Sequence, residues 1–284
     1  MASKRGQAGN GAPRTEPGGE LSGAQLLEGW RDAGVEPGMH LIVHSSLSSL
    51  GSVCGGAATV VNSLRDAVTE TGTLVVPAFT PQVADPATTD CGVPDADVQG
   101  RRGAVPTFSS DLPSSMGAVA EAVRLLPGAL RSRHPQASVA AVGSQAQEIV
   151  ADQPWHFAVG PGSPFGQLLD LGGHILLIGV GHNRNSFLHY AESLTAQPRL
   201  KQRRFPMLVD GERVWWETMD VGDDNDTHFP VVGMGFEHQS DVKSLTVGTA
   251  RIVVLPARPF VAYAVDRLTE LLAEERADTQ PLHR

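Results

Sequence analysis

Apolar residues recur along this chain in two rhythms. In "HLIVHSS", "GTLVVPAF", "ASVAAVG" and "GHILLIGVG" they run on with little polar interruption, the pattern of short strands covered on both faces. Between these runs the spacing is helical. "AQLLEGWRDAG" puts Leu26, Leu27 and Trp30 on one face, with Ser22 placed as N-cap and Gly34 as terminator. "VCGGAATVVNSLRDAV", "SMGAVAEAVRLLPG", "SQAQEIVAD" and the closing "RPFVAYAVDRLTELLAEE" read as further helices. "GSPFGQLLDLG" adds one with Ser163 as N-cap and Pro164 at the first position. In "FPMLVDGERVWWETMDV" the rhythm becomes alternating around Asp210-Gly211, a type I′ hairpin signal, and "TVGTARIVVLPA" reads as a second hairpin. Strands alternating with helices predict an α/β fold with a buried mixed sheet and C-terminal antiparallel hairpins. Two stretches have no rhythm. Residues 1–20 are rich in Gly and Pro and read as a flexible tail. Residues 80–114 read as a long loop, of a length that usually carries function. One domain over 21–276 is expected, with 277–284 as a short tail.

Composition narrows the function classes. The chain has 284 residues, 41% apolar, with a net charge of -9. Binding to nucleic acid or to an acidic membrane needs clustered Lys and Arg, so this balance disfavours both and suits a cationic small molecule. Cys54 and Cys91 form neither a disulfide framework nor a CxxC knuckle, which fits a reducing cytoplasm. The start has no apolar signal core, and no apolar run reaches the ~18–20 residues of a membrane span.

Chemistry can sit in several places. "HSSLSSLGSVCGGAATVV" is strand, hydroxyl-rich turn, Gly55-Gly56 and helix, which leaves backbone N–H groups free for an anion. It matches neither GxGxxG nor a P-loop, and a plain turn explains it equally well. "NSFLHYAESL" places Ser186, His189 and Glu192 at three-residue steps along a helix, where each can approach the next. A histidine oriented by a carboxylate is a good base near neutral pH; an ordinary helix with His and Glu in water is the competing reading. A metal site through His182, His189 and Glu192, and with it a metal-dependent hydrolase, lacks HExxH spacing, and no metal is expected. The serines lack a GxSxG elbow. Acidic residues cluster in the 80–114 loop, including Asp111, and around "MDVGDDNDTHF" and "GFEHQ", with Asp223, Asp224 and Glu237. They serve solubility alone or, beside a site, concentrate a polycation.

In order along the chain, "WRDAGVEPGMHLIVHSSLSSLGSVCGGAATVVNSLRDAV", "GTLVVPAFT", "RSRHPQASVAAVG", "GPGSPFGQLLDLGGHILLIGVGHNRNSFLHYAE" and "DGERVWW" resemble the aminoglycoside 3-N-acetyltransferase family. The resemblance runs from about Gln25 to the C-terminal helix. It implies a three-layer α/β/α sandwich and transfer of acetyl from acetyl-CoA to an aminoglycoside 3-amine, without a covalent acyl-enzyme. The family's Thr/Ser, His, Glu pattern falls on Ser186, His189 and Glu192, which implies a base at His189 oriented by Glu192. The CoA-binding segment falls on Ser45, Ser46, Leu47, Ser48, Val53, Gly55 and Gly56, with Ser132 and His134 of "RSRHPQAS" near the cofactor and Arg131 and Arg133 as phosphate partners. Asp111, Asp223, Asp224 and Glu237 become the expected contacts of the cationic substrate. "SSDLPSSMG" departs from the family's aromatic-Asp-Pro element, which keeps open a CoA-dependent N-acyltransferase for another amine. A cytoplasmic protein is expected, with a homodimer among the expected assemblies.

Overall fold

The computed structural model describes residues 19–86, 97–222 and 224–279. Most of the expected tails, Cys91 and Asp223 lie outside these residues.

The chain opens with α1 (Gly23–Asp32), β1 (His40–Ser45), α2 (Gly56–Val68) and β2 (Thr73–Pro77). It continues through α3 (Val98–Ala104), α4 (Ala118–Arg124), β3 (Leu130–Arg131), β4 (Val139–Gly143), α5 (Ala146–Val150), α6 (Pro164–Asp170) and β5 (His174–Ile178). Then come α7 (Phe187–Ser193), β6 (Leu200–Val209), β7 (Glu212–Val221), α8 (Phe229–Gln239), β8 (Ser244–Val247), β9 (Ala250–Pro256) and α9 (Ala257–Thr279).

A seven-stranded sheet in the order β3-β4-β2-β1-β5-β9-β8 forms the middle layer. Its centre is parallel, with β1 between β2 and β5, and the remaining pairs are antiparallel. The alternation of side chains explains the unbroken apolar runs. Leu41, Val43, Leu74, Val76, Leu176 and Ile178 point to one face, where Leu26, Trp30, Val60, Leu64 and Val123 from α1, α2 and α4 cover them. Ile42, Val75, Ile175, Leu177, Val253 and Leu255 point to the other, under Phe165, Phe187, Phe229 and Phe260 from α6 to α9. Each of these aromatic side chains is fully buried and contributes on the order of 2–3 kcal/mol of transfer free energy. The Trp30 indole N–H donates to Ser63 Oγ at 2.9 Å, so its burial leaves no donor unmet.

Local signals held where they were self-contained. Ser22 closes a capping box with Gln25. Ser163 caps α6 with Pro164 first. Asp210 and Gly211 both take positive φ (52° and 85°), as the two-residue turn joining β6 to β7 requires. The second hairpin, β8–β9, is the antiparallel edge of the main sheet. Elsewhere tertiary contacts overrode the pattern. The 80–114 stretch, read as a loop, contains α3. Ser144, the first residue of "SQAQEIVAD", does not cap α5 and donates to Thr71 O at 2.6 Å. α8 is helical in spite of Gly233 and Gly235. At Gly233 a Cβ would lie 1.9 Å from His182 Cγ, and at Gly235 2.4 Å from Tyr263 Oη, so close packing outweighs low helix propensity there. No helix among the described residues is long and apolar enough to cross a membrane.

Candidate active site

β1 is parallel to both neighbours; after β1 the chain crosses one face of the sheet through α2 to β2, and after β5 it crosses the other face through α7. Open α/β sheets form their ligand crevice at such a switch point. Two exits meet there: Ser45–Ser48 after β1 and Val180–Ser186 after β5. Ser46 N–H donates to Ile178 O (2.9 Å) and Ser49 Oγ to Gly179 O (3.0 Å), which ties them together. Gly179 has φ +61°, and a Cβ there would come within 2.3 Å of Ser49 Cβ, so only glycine allows this approach.

A cavity of about 590 Å³ opens over this edge. Ser45, Ser46, Leu47 and Ser48 line it together with Met116, Gly117, Ala118 and Arg184. The hydroxyls of Ser46 and Ser48 lie 3.1 Å apart. A Cβ on Gly117 would meet no atom within 4 Å, so the lining is uncrowded at that point. His44 also lines this cavity; its Nε2 is buried and has no hydrogen-bond partner. Burial, and then the nearby His182, push its pKa down to about 3, so the ring is neutral. Gly55 and Gly56 open α2 in left-handed conformations (φ 76° and 62°). They and Val53 lie outside the lining of this cavity.

A second cavity of about 320 Å³ adjoins the first, and Met116 and Arg184 line both. Ser186 and His189 enter it from α7, Gln136 and Ala137 from the turn before β4, and Arg203 and Asp220 from the β6–β7 hairpin. His189 is half-buried and packs edge-on against Phe229, with ring centroids 4.8 Å apart. The predicted row is therefore helical, but only its first two members reach the cavity. Glu192 is fully buried and binds Arg199, accepting from Nε at 2.8 Å, from an Nη at 3.1 Å and from the Arg199 backbone N–H at 3.1 Å. Arg199 also reaches Asp224 at 3.1 Å.

Several other predicted residues are placed away from both cavities. His134 is buried: Nδ1 accepts from the N–H groups of Gln136 and Ala137, and Nε2 lies 3.3 Å from Trp155 O. Ser132 Oγ donates to Gln153 and accepts from Val139 N–H. Together they shape the β3–β4 turn that presents Gln136 and Ala137. Arg131 spends its guanidinium on Ser138 and on the carbonyls of Ala78, Ser110 and Leu112, which fastens the 110–112 segment. Asp111 is exposed outside the second cavity. Asp224 receives the N–H groups of Asp226 and Thr227, and these bonds, the Thr227 contact foremost, lower its pKa. Glu237 is buried against His182 (2.8 Å) and Arg251. Burial opposes its charge, but those two hydrogen-bond partners outweigh it and hold the carboxyl at about 2. His182, one of the residues a metal-dependent hydrolase would need, is thus spent on Glu237.

Residues 42–269 match the family model described as aminoglycoside 3-N-acetyltransferase. The chain belongs to this family. It is 33% identical over 275 residues to aminoglycoside N(3)-acetyltransferase VII of Streptomyces paromomycinus, covering 91% of this chain and 95% of that protein. The crystal structure of YokD from Bacillus subtilis superposes with a TM-score of 0.84 at 30% identity, covering 90% and 96% of the two chains. AAC-IIIb, solved as a binary complex with CoASH, superposes with a TM-score of 0.79 at 25% identity, covering 89% and 98%.

In this member of the aminoglycoside 3-N-acetyltransferase family, the second cavity also holds an acid. Asp220 is buried at the end of β7 and lines that cavity, where its Oδ1 accepts from Val221 N–H at 2.9 Å. In the sequence it is one of the acids of "MDVGDDNDTHF", read as serving solubility or as concentrating a cation beside a site. Arg199 carried no signal, because an arginine seven residues past a glutamate reads as surface.

The buried histidines set an acid limit on stability. His44 and His134 stay neutral in the fold down to about 3 and about 4, chiefly through burial, whereas the unfolded chain takes up these protons near 6.5. Below pH 6.5 the unfolded state therefore binds more protons, and stability falls by up to ~1.4 kcal/mol per pH unit for each histidine. Urea unfolding of His134→Asn should show a flatter loss between pH 6.5 and 4; an unchanged slope would mean that His134 is charged in the fold.

Proposed function

We propose that this chain transfers the acetyl group of acetyl-CoA directly to the 3-amino group of an aminoglycoside. The observation that carries this reading is the common wall at Met116 and Arg184. A hydroxyl-lined cavity and a smaller cavity holding Ser186 and His189 are both lined by these two residues. Acetyl-CoA supplies the activated acetyl group as a thioester, and the Ser45–Ser48 turn holds it along the larger cavity. Gly55 and Gly56, at the start of α2, are kept as partners for its distal phosphates. His189 takes the proton that the attacking amine must lose, and Ser186 donates to the oxygen on which negative charge develops. Glu192, three residues after His189, is held by Arg199 and anchors the helix that carries His189. Asp220 attracts a second ammonium group of the substrate. The reaction belongs in the cytoplasm, where acetyl-CoA is supplied.

A thiol-release assay with acetyl-CoA and a panel of amines tests the reading. Free thiol should appear only with aminoglycosides, and release with unrelated amines alone would favour another N-acyltransferase. Asp220→Asn should raise the KM for the aminoglycoside several-fold at low salt, an effect that fades as salt screens it. A KM unchanged at every ionic strength would remove Asp220 from substrate binding.

A further inference from the structure

We propose that His182, locked between Glu237 and Asn185, is a positioning residue that fixes the start of α7 and so aims Ser186 and His189. The inference rests on the proposed transferase reading and adds residues that line neither cavity.

The bonds form a single chain of contacts. Arg251 on β9 and His182 both bind the Glu237 carboxylate on α8. Glu237 has no proton to give, so His182 Nε2 carries the hydrogen and donates it across 2.8 Å. Asn185 Nδ2 lies 3.4 Å from the other ring nitrogen, Nδ1, which accepts from it. The tautomer thereby selects the orientation of the Asn185 amide. With Nδ2 turned to the histidine, Oδ1 faces the other way and accepts from Phe187 N–H at 3.2 Å. Turned over, the amide would set a donor against that N–H. Phe187 is the first residue of α7, and a helix of seven residues has few internal bonds with which to hold its own start.

The ring has little freedom to leave this register. Phe260 stacks on it with centroids 5.7 Å apart and planes 14° from parallel. Gly233 presses from α8, where a Cβ would overlap the ring. His182 and Asn185 are buried, at 3% and 1% exposure, and Glu237 is at 9%. The turn they pin, Asn183–Ser186, contributes Asn183, Arg184 and Ser186 to the smaller cavity. Glu237, expected from the sequence to bind the cationic substrate, is here assigned to aiming the catalytic helix.

The test combines kinetics with hydrogen exchange on the full chain. His182→Ala and Asn185→Ala should each lower kcat at least ~10-fold while both KM values stay within about twofold, and the double variant should be no slower than the slower single one. Asn185→Asp keeps the oxygen that accepts from Phe187 N–H, so it should retain more turnover than Asn185→Ala. Without any ligand, the amides of Phe187 to His189 should exchange at least ~10-fold faster in His182→Ala, while those of β5 keep their protection. The exchange arm needs no activity, so it stands even if no aminoglycoside proves to be a substrate. Should His182→Ala fail to fold, the same exchange is read in Asn185→Ala. Glu237→Gln that raises the aminoglycoside KM with kcat intact would overturn the proposal, as would unchanged exchange at the start of α7 or kcat losses that multiply in the double variant.

Discussion

Replacing His189 with alanine is expected to cut kcat by about 10²–10⁴-fold, with KM for acetyl-CoA nearly unchanged. The loss follows from geometry. His189 is the histidine that α7 delivers to the smaller cavity, which Ser186 and Asp220 also line. The larger cavity, with its serine wall, does not include it, which separates the expected effect on turnover from any effect on donor binding. An amine is charged near neutral pH and must lose a proton before or during attack. Without the imidazole, only water or buffer can take that proton. The variant should therefore depend more steeply on pH above neutrality than the wild type, because it turns over only amine that is already neutral. Steady-state kinetics across pH 6–9 read both quantities. Turnover within tenfold of wild type would remove His189 as the base. Ser186→Ala should cost less, since backbone N–H groups can share the developing charge.

The second large effect concerns stability. Glu192 is completely buried, and Arg199, 18% exposed at its side chain, is its counter-charge. Arg199→Met leaves a carboxylate sealed in the core without a cation and should cost about 3–5 kcal/mol in urea unfolding. Glu192→Gln should cost less. It leaves an arginine that still reaches Asp224 and water, and an amide that can accept from it. Combining the two changes should recover much of the loss, because no uncompensated charge then remains inside. A cost below ~1 kcal/mol for Arg199→Met would mean that Glu192 protonates or finds another donor. Because α7 also carries His189, turnover should fall with stability in Arg199→Met and return in part in the double variant.

Both predictions depend on features read with unequal ease. The step from Ser186 to His189 was legible because one helical turn decides it. That Glu192 would turn to Arg199 was not, since this contact depends on how the chain folds back after α7. Glu237 shows the same limit. In a row of acids it read as a substrate contact, yet α8 brings it against His182, 55 residues earlier in the chain. α8 itself was hidden by two glycines whose missing Cβ atoms make room for His182 and Tyr263.

What the sequence determined by itself was everything held by short-range physics. The two periods of apolar residues specified strands buried on both faces and amphipathic helices. Ser22, Ser163-Pro164 and Asp210-Gly211 specified their ends and turns, and the ordered motifs specified the family. The tertiary structure alone decided which charges pair, which predicted ligands are instead structural, and that the serine turn and α7 share a wall at Met116 and Arg184. Those outcomes depend on contacts between segments far apart in the chain, and there burial makes an unpaired charge or an extra methyl group too costly for any other arrangement.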